Sequence, residues 1–160
     1  MDDERTFIIL RGIPSSGKST LARLIMSEFW LRKLEFAYLS TDDLFTVGNK
    51  YLFNRDKLHL FHRANYERFE LAINNGIPNV ILDNTNTTFK EFSDYVEYAI
   101  LYGYEVEIRE PETPWRYDVE ECTKRNKHGV PREVIQRMLD RWESTEYCLQ
   151  KIEEMLELYA

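Results

Sequence analysis

The run Phe7-Ile8-Ile9-Leu10 leads directly into Gly12-Ile13-Pro14-Ser15-Ser16-Gly17-Lys18-Ser19-Thr20. Apolar residues then recur at helical spacing through Leu21, Ala22, Leu24, Ile25 and Phe29. This order, a short β-branched strand, a glycine loop and an amphipathic helix, restricts the fold more than any other feature. The loop fits G-x-x-x-x-G-K-[ST], the phosphate-cradling P-loop pattern. Such a loop turns backbone N–H groups toward anionic oxygens, and the helix start adds its positive dipole end. Lys18 supplies a point charge for the β/γ-phosphates, and the Ser19 hydroxyl suits Mg²⁺.

Strands and helices alternate along the rest of the chain. Phe36–Ser40 reads as a second strand, ending at Thr41-Asp42-Asp43, and Leu58–Ala72 as a helix stopped by Asn75-Gly76. Asn79–Leu82 is a short apolar strand. Thr88 and Glu91 form a capping box for a helix running to about Tyr102. Tyr104–Arg109 alternates as a strand. Thr113-Pro114 is expected to open a helix with proline at its first position. Gly129-Val130-Pro131 breaks the chain before a helix from about Pro131 to Trp142. Ser144 is expected to cap a last helix, with Cys148, Ile152, Met155 and Tyr159 as its core stripe. This pattern implies right-handed βαβ crossovers and an α/β fold with a central parallel sheet flanked by helices. The 160 residues suit a single domain, 1–160.

Composition limits the function classes. The net charge of −7 argues against a broad nucleic-acid-binding face. No apolar run approaches membrane-spanning length. Met1-Asp2-Asp3-Glu4 lacks the basic and apolar regions of an export signal. Two cysteines, Cys122 and Cys148, suit reduced thiols in the cytosol or nucleus. One basic island stands out: Lys124, Arg125, Lys127 and Arg132 lie within Thr123–Arg132, a stretch without an acid. It suggests a local anion site.

Ligands of parallel sheets bind beyond the strands' carboxyl ends. That rule puts Gly12–Ser19, Asp42-Asp43 and Asp83-Asn84 at one rim, with Thr20 completing the nucleotide-binding stretch. Phosphoryl transfer needs a carboxylate to take or orient the acceptor's proton, a role suited to Asp42, with Asp43 as a helix cap. Asp83, ending an apolar strand, suits Mg²⁺ directly or through water. Asn84 suits either an acceptor contact or a turn. Arg125 suits the charge of a transferring phosphoryl group, on a helical lid at about 114–132, or else a solvated helix end. His59, His62 and His128 are scattered. Trp115, Tyr117 and Tyr51 are aromatic candidates for base stacking that sequence does not separate from packing residues.

Four segments together resemble the polynucleotide-kinase-like P-loop kinases, a family that includes the kinase half of phage polynucleotide kinase. They are Arg11–Thr20, Ser40-Thr41-Asp42-Asp43, Leu82-Asp83-Asn84-Thr85-Asn86 and Thr123–Pro131, and the likeness runs from about Phe7 to Trp142. The resemblance implies a P-loop NTPase fold of the nucleoside/polynucleotide kinase type with a helical lid. It further implies ATP and Mg²⁺ as cofactors and a polynucleotide 5′-hydroxyl as acceptor. By the same likeness Lys18 and Ser19 match the phosphate lysine and Mg²⁺-side serine, Asp42 the general base, Arg125 the lid arginine and Asp83 a strand-end aspartate. Two positions depart. The phage enzyme carries its strand-end aspartate one place later, where Asn84 stands here. It also carries an acceptor-reading arginine three residues after the base, where this chain has Phe45, leaving Arg63 or Arg55 as substitutes. A kinase of a small metabolite, nucleoside or sugar is the alternative. A non-catalytic nucleotide-binding module docking through Glu146–Tyr159 is a third reading. The location expected is cytoplasmic or nuclear.

Overall fold

The computed structural model describes residues 4–160. The acidic start Met1–Asp3, part of the expectation of no export signal, lies outside the described residues. In chain order the elements are β1 (Thr6–Leu10), α1 (Lys18–Leu31), β2 (Phe36–Leu39), α2 (Thr41–Leu44), β3 (Thr46–Val47), β4 (Lys50–Tyr51) and a 3₁₀ turn (Arg55–Lys57). There follow α3 (Leu58–Asn74), β5 (Asn79–Asp83), α4 (Phe89–Leu101), β6 (Glu105–Arg109), α5 (Val119–Arg125), α6 (Arg132–Asp140) and α7 (Thr145–Leu158). Four strands form one parallel sheet in the order β2-β5-β1-β6. Phe7 stands opposite Val80 on one side and Val106 on the other, so β1 is the paired centre.

A strand covered on both faces has no polar side, which is why Phe7–Leu10 is continuously apolar. Its side chains still alternate. Phe7 and Ile9, with Val80 and Leu82, pack with Phe69, Phe92, Val96, Cys148 and Ile152 of α3, α4 and α7. Ile8, Leu10 and Ile81 pack with Ala22, Ile25 and Phe29 of α1 on the opposite face. The last helix buries Cys148 and Ile152 as expected, while Tyr159 stays exposed. A third cluster joins Ile13 of the glycine loop to Val119, Cys122 and Ile135 of α5 and α6. The segment after β6 therefore packs on the loop itself.

Two local expectations are corrected and one element is added. Thr113-Pro114 starts no helix: Pro114–Tyr117 is a turn, and α5 begins at Val119, where Asp118 Oδ1 accepts from Glu121 N at 3.1 Å. Asp118 competes successfully because its side chain satisfies the Glu121 N–H, and Glu120 and Glu121 in the first turn complement the helix dipole. Asp43 is not a cap, because α2 starts at Thr41 and places Asp42 and Asp43 inside its first turn. A hairpin, β3–β4, follows α2, turned by Gly48 at φ +63° and anchored by Leu52 N donating to Phe45 O at 2.8 Å.

Candidate active site at the carboxyl rim of the sheet

The glycine loop has the shape of a cradle that side chains would fill. A Cβ on Gly12 would lie 2.5 Å from Ser16 Oγ, and one on Gly17 would lie 2.7 Å from Thr113 Cγ2. Gly17 also holds φ +109°, and Ser15 holds φ +67°. No side chain caps α1, so its first N–H groups are free of side-chain partners. Ser16 Oγ is buried without a hydrogen-bond partner among the described residues. A buried hydroxyl and open N–H groups in one concavity fit an anionic ligand such as a nucleotide's phosphates.

The outside of the loop is strapped by the segment after β6. Thr113 Oγ1 donates to Ser16 O at 2.6 Å, and Trp115 Nε1 donates to Ser15 O at 3.1 Å. These bonds explain how Ser15 is held in a left-handed conformation that non-glycine residues rarely adopt. Gly17→Ala is expected to lower stability by about 1–3 kcal/mol, since both φ and the Thr113 contact oppose a methyl group. A thermal melt several degrees below the parent is the expected reading.

Lys18 Nζ forms an ion pair with Asp83 Oδ1 at 2.9 Å, both groups largely buried. Tyr38 donates its hydroxyl to Asp83 Oδ2. Burial and the neighbouring Asp83 carboxylate push the Tyr38 phenol well above its ordinary pKa, so it remains a donor. Both Asp83 oxygens are thus engaged. A carboxylate and the Ser19 hydroxyl together suit Mg²⁺, which keeps several waters and takes phosphate oxygens as its other ligands. Asp83, with one oxygen held by Tyr38, would hold such an ion through water or after Lys18 turns to a phosphate.

Next to this pair stand the residues of α2. Partial desolvation raises the Asp43 carboxyl; Arg68 opposes the shift, and Asp83 and Asp42 add to it. Thr41 N donates to Asn84 Oδ1 at 3.0 Å, tying α2 to the end of β5. Asn84 therefore serves the loop's architecture through its carbonyl. Thr41 Oγ1 and His62 Nδ1 share a hydrogen bond of 3.0 Å, which ties α2 to α3 as well. Tyr51 donates to Asp42 Oδ1 at 3.2 Å, and the Asp42 side chain remains exposed. So the three sequence corners, Lys18, Asp42-Asp43 and Asp83-Asn84, lie along one connected rim.

Two candidates sit elsewhere. Arg125 lies over the Trp115 ring at 3.6 Å from its centroid and pairs with Glu121 at 2.9 Å, one side chain removed from the loop. Arg63 is exposed on α3. Phe45 is buried among Phe53 and Phe61, with ring centroids at 5.1 and 4.4 Å, so it acts as packing where the resemblance has a cation. Among residues not singled out from sequence, Arg11 is the largest. It is fully buried and donates to Asn86 O, Thr145 Oγ1, Thr87 O and Glu143 O at 2.6–3.0 Å. A charged residue closing an apolar strand was its available signal. Tyr38 and Thr113 gave none, because their partners are distant in sequence, and Trp115, a stacking candidate by sequence, instead straps the loop and lies under Arg125.

Known proteins agree with this architecture. The family profile described as AAA domain matches residues 7–145. Human NEDD4-binding protein 2 is 38% identical over 136 residues, covering 85% of this chain and 8% of that protein. Rat 2',3'-cyclic-nucleotide 3'-phosphodiesterase is 31% identical, covering 84% of this chain and 30% of that protein. The chain thus spans a minor part of both relatives' lengths. Chaetomium thermophilum Kti12, solved with ADP-AlF3, superposes with a TM-score of 0.60 at 18% identity over 86% of this chain and 80% of that one. The Pnkp1 complex with Rnl and Hen1 gives a TM-score of 0.56 at 24% identity over 82% of this chain and 42% of that one. No helix among the described residues is long and apolar enough to cross a membrane. Loop, sheet order and family match agree with the resemblance read from the sequence: this chain belongs to the AAA domain family, as a P-loop kinase-like domain of the polynucleotide-kinase-like group.

Proposed function

We propose that this domain transfers the γ-phosphate of ATP to a hydroxyl, with a polynucleotide 5′-hydroxyl as acceptor. The observation that carries the reading is the connected rim from Lys18 through Asp83 to Asp42. It sets a phosphate-binding lysine and an exposed carboxylate at the mouth of one cradle. The glycine loop and Lys18 hold the β/γ-phosphates. Asp42 accepts the proton of the attacking hydroxyl, oriented by Tyr51. Ser19 and Asp83 are the residues that would hold Mg²⁺, and the ion would supply neutralising charge for the phosphates.

Arg125 reaches the developing charge by leaving Trp115 and Glu121. Arg125 itself is exposed, and Glu121 and Trp115 are half-buried, so release costs little: such surface ion pairs contribute about 0–1 kcal/mol, and a cation over a ring at the surface about 0.5–1 kcal/mol. In this reading α5, with the turn before it and the loop after it (about residues 114–132), acts as a lid whose Ile13 contact sets its resting position.

Radiolabelled ATP offered to 5′-hydroxyl oligonucleotides and to a panel of nucleosides, sugars and small alcohols tests the assignment. Label on the 5′ end of the oligonucleotides, removable by phosphatase, is the expected result. Label on a small metabolite alone would overturn the polynucleotide acceptor.

A further inference from the structure

The hairpin β3–β4 and the start of α3 stand beside Asp42 and have no role in the cradle. From Thr46 to Lys57 every side chain except that of Tyr51 is exposed. Within that open surface Phe53 is 53% exposed, with Leu52 and Val47 uncovered beside it. Apolar side chains this exposed, grouped on one short hairpin, mark a contact surface. Phe53 is not loose, however. Its ring rests on buried Phe45 at 5.1 Å and runs nearly parallel to Tyr51, with 14° between planes and 6.4 Å between centroids. Phe45 rests in turn on Phe61 of α3. The departure at Phe45 thus has a structural purpose: it is the pillar under an aromatic platform.

Charge accompanies the platform. Lys50, Arg55, Lys57 and Arg63 are exposed, against the single acid Asp56 in the same stretch, in a chain of net charge −7. None of these four cations is ion-paired among the described residues. The platform also connects to the candidate base and to the lid. Tyr51 bonds Asp42 through its hydroxyl and meets the His128 ring at 4.2 Å between centroids. His128 lies in the basic island that begins in the last turn of α5.

We infer that the β3–β4 hairpin and the start of α3 form the groove for a single-stranded polynucleotide acceptor. Phe53 stacks a base near the 5′ end, and Lys50, Arg55, Lys57 and Arg63 pair with the phosphates that follow. This rests on the polynucleotide reading above and narrows it to unpaired ends. Aromatic faces stack bases that are out of a duplex, and stacking tolerates any base because each has a π-face. A small metabolite would instead be enclosed by its site, which this open stretch does not do. A duplex would need a broad cationic face, and a chain of net charge −7 gathers only these four cations between Lys50 and Arg63.

The test is fluorescence polarisation with 5′-hydroxyl oligothymidylates of one to six nucleotides, labelled at the 3′ end, with a non-hydrolysable ATP analogue present. The expected result is an affinity that rises with length to about four nucleotides and falls about tenfold in Phe53→Ala. Lys57→Gln should lower the salt slope of log K by about 0.7, the share of one phosphate on a single strand. Leu31→Ser, on the far end of α1, should behave as the parent. Because Phe53 and Lys57 are exposed, unchanged melting temperatures exclude misfolding as the cause. Affinity independent of length, or untouched by Phe53→Ala, overturns the groove. The two readings fail separately. Length-dependent binding through Phe53 without phosphoryl transfer would sink the kinase assignment and leave the groove standing. Transfer to a mononucleotide as fast as to a hexamer would do the reverse.

Discussion

Asp42→Asn is expected to lose about a thousandfold in phosphoryl transfer, within the usual worth of a positioned general base. The substitution keeps the shape of the side chain and an oxygen for the Tyr51 hydroxyl, so the hairpin stays in place. What disappears is the capacity to take a proton. The cradle is built from other residues, Gly12 to Ser19 with Lys18 and Asp83, so nucleotide affinity should stay within about twofold. Single-turnover transfer measured beside ATP-analogue binding reads both quantities. Retention of a tenth or more of parental transfer would remove Asp42 from the chemistry. A parallel loss of nucleotide binding would instead make it part of the cradle.

The second large effect concerns stability. Arg11 leaves β1 at its carboxyl end, fully buried, and its guanidinium gives hydrogen bonds to three carbonyls and one hydroxyl. The Trp142 ring lies 4.2 Å from it. Its partners come from the loop after β5 and from the start of α7, segments that share no strand pairing with each other. One side chain therefore joins the glycine-loop strand, the Asn86-Thr87 turn and the last helix. Burial lowers the Arg11 pKa from its ordinary value, a shift opposed by the surrounding negative groups. Arg11→Ala leaves the buried carbonyls of Asn86 and Thr87 without their donor and releases the part-buried contacts to Glu143 and Thr145, which costs about 3–5 kcal/mol. For a domain of this size that corresponds to a melting point about 10–15 °C lower. Arg11→Lys should recover only part of it, because a point ammonium cannot span a planar fork of acceptors. A melt within 2 °C of the parent for Arg11→Ala would show that the buried guanidinium is replaceable.

The two central strands, β1 and β5, were legible because they are buried on both faces. Phe7–Leu10 and Val80–Leu82 carry that burial as unbroken apolar runs, too short for a helix and bounded by Gly12 and by Pro78 and Asp83. The capping box at Thr88 was legible because both partners lie within one helical turn, and Thr88 N does donate to Glu91 Oε2 at 3.1 Å. The hairpin was not, because β3 and β4 have two residues each and no hydrophobic alternation. Its one signal was Gly48-Asn49 as a two-residue turn. Pro114 misled because proline suits both a helix start and a turn, and the choice was made by Asp118 four residues later. The rim's internal bonds were illegible for a different reason. Lys18 with Asp83, Tyr38 with Asp83, and Trp115 with Ser15 are separated by 65, 45 and 100 residues, so no local pattern reports them.

A crystal of the domain with a non-hydrolysable ATP analogue, Mg²⁺ and a 5′-hydroxyl tetranucleotide bears most directly on the shared cradle. The γ-phosphate should lie against Lys18, with the terminal 5′ oxygen about 2.6–3.2 Å from an Asp42 carboxylate oxygen and in line with that phosphate. A triphosphate seated in the loop with the oligonucleotide end held away from Asp42 would contradict the account.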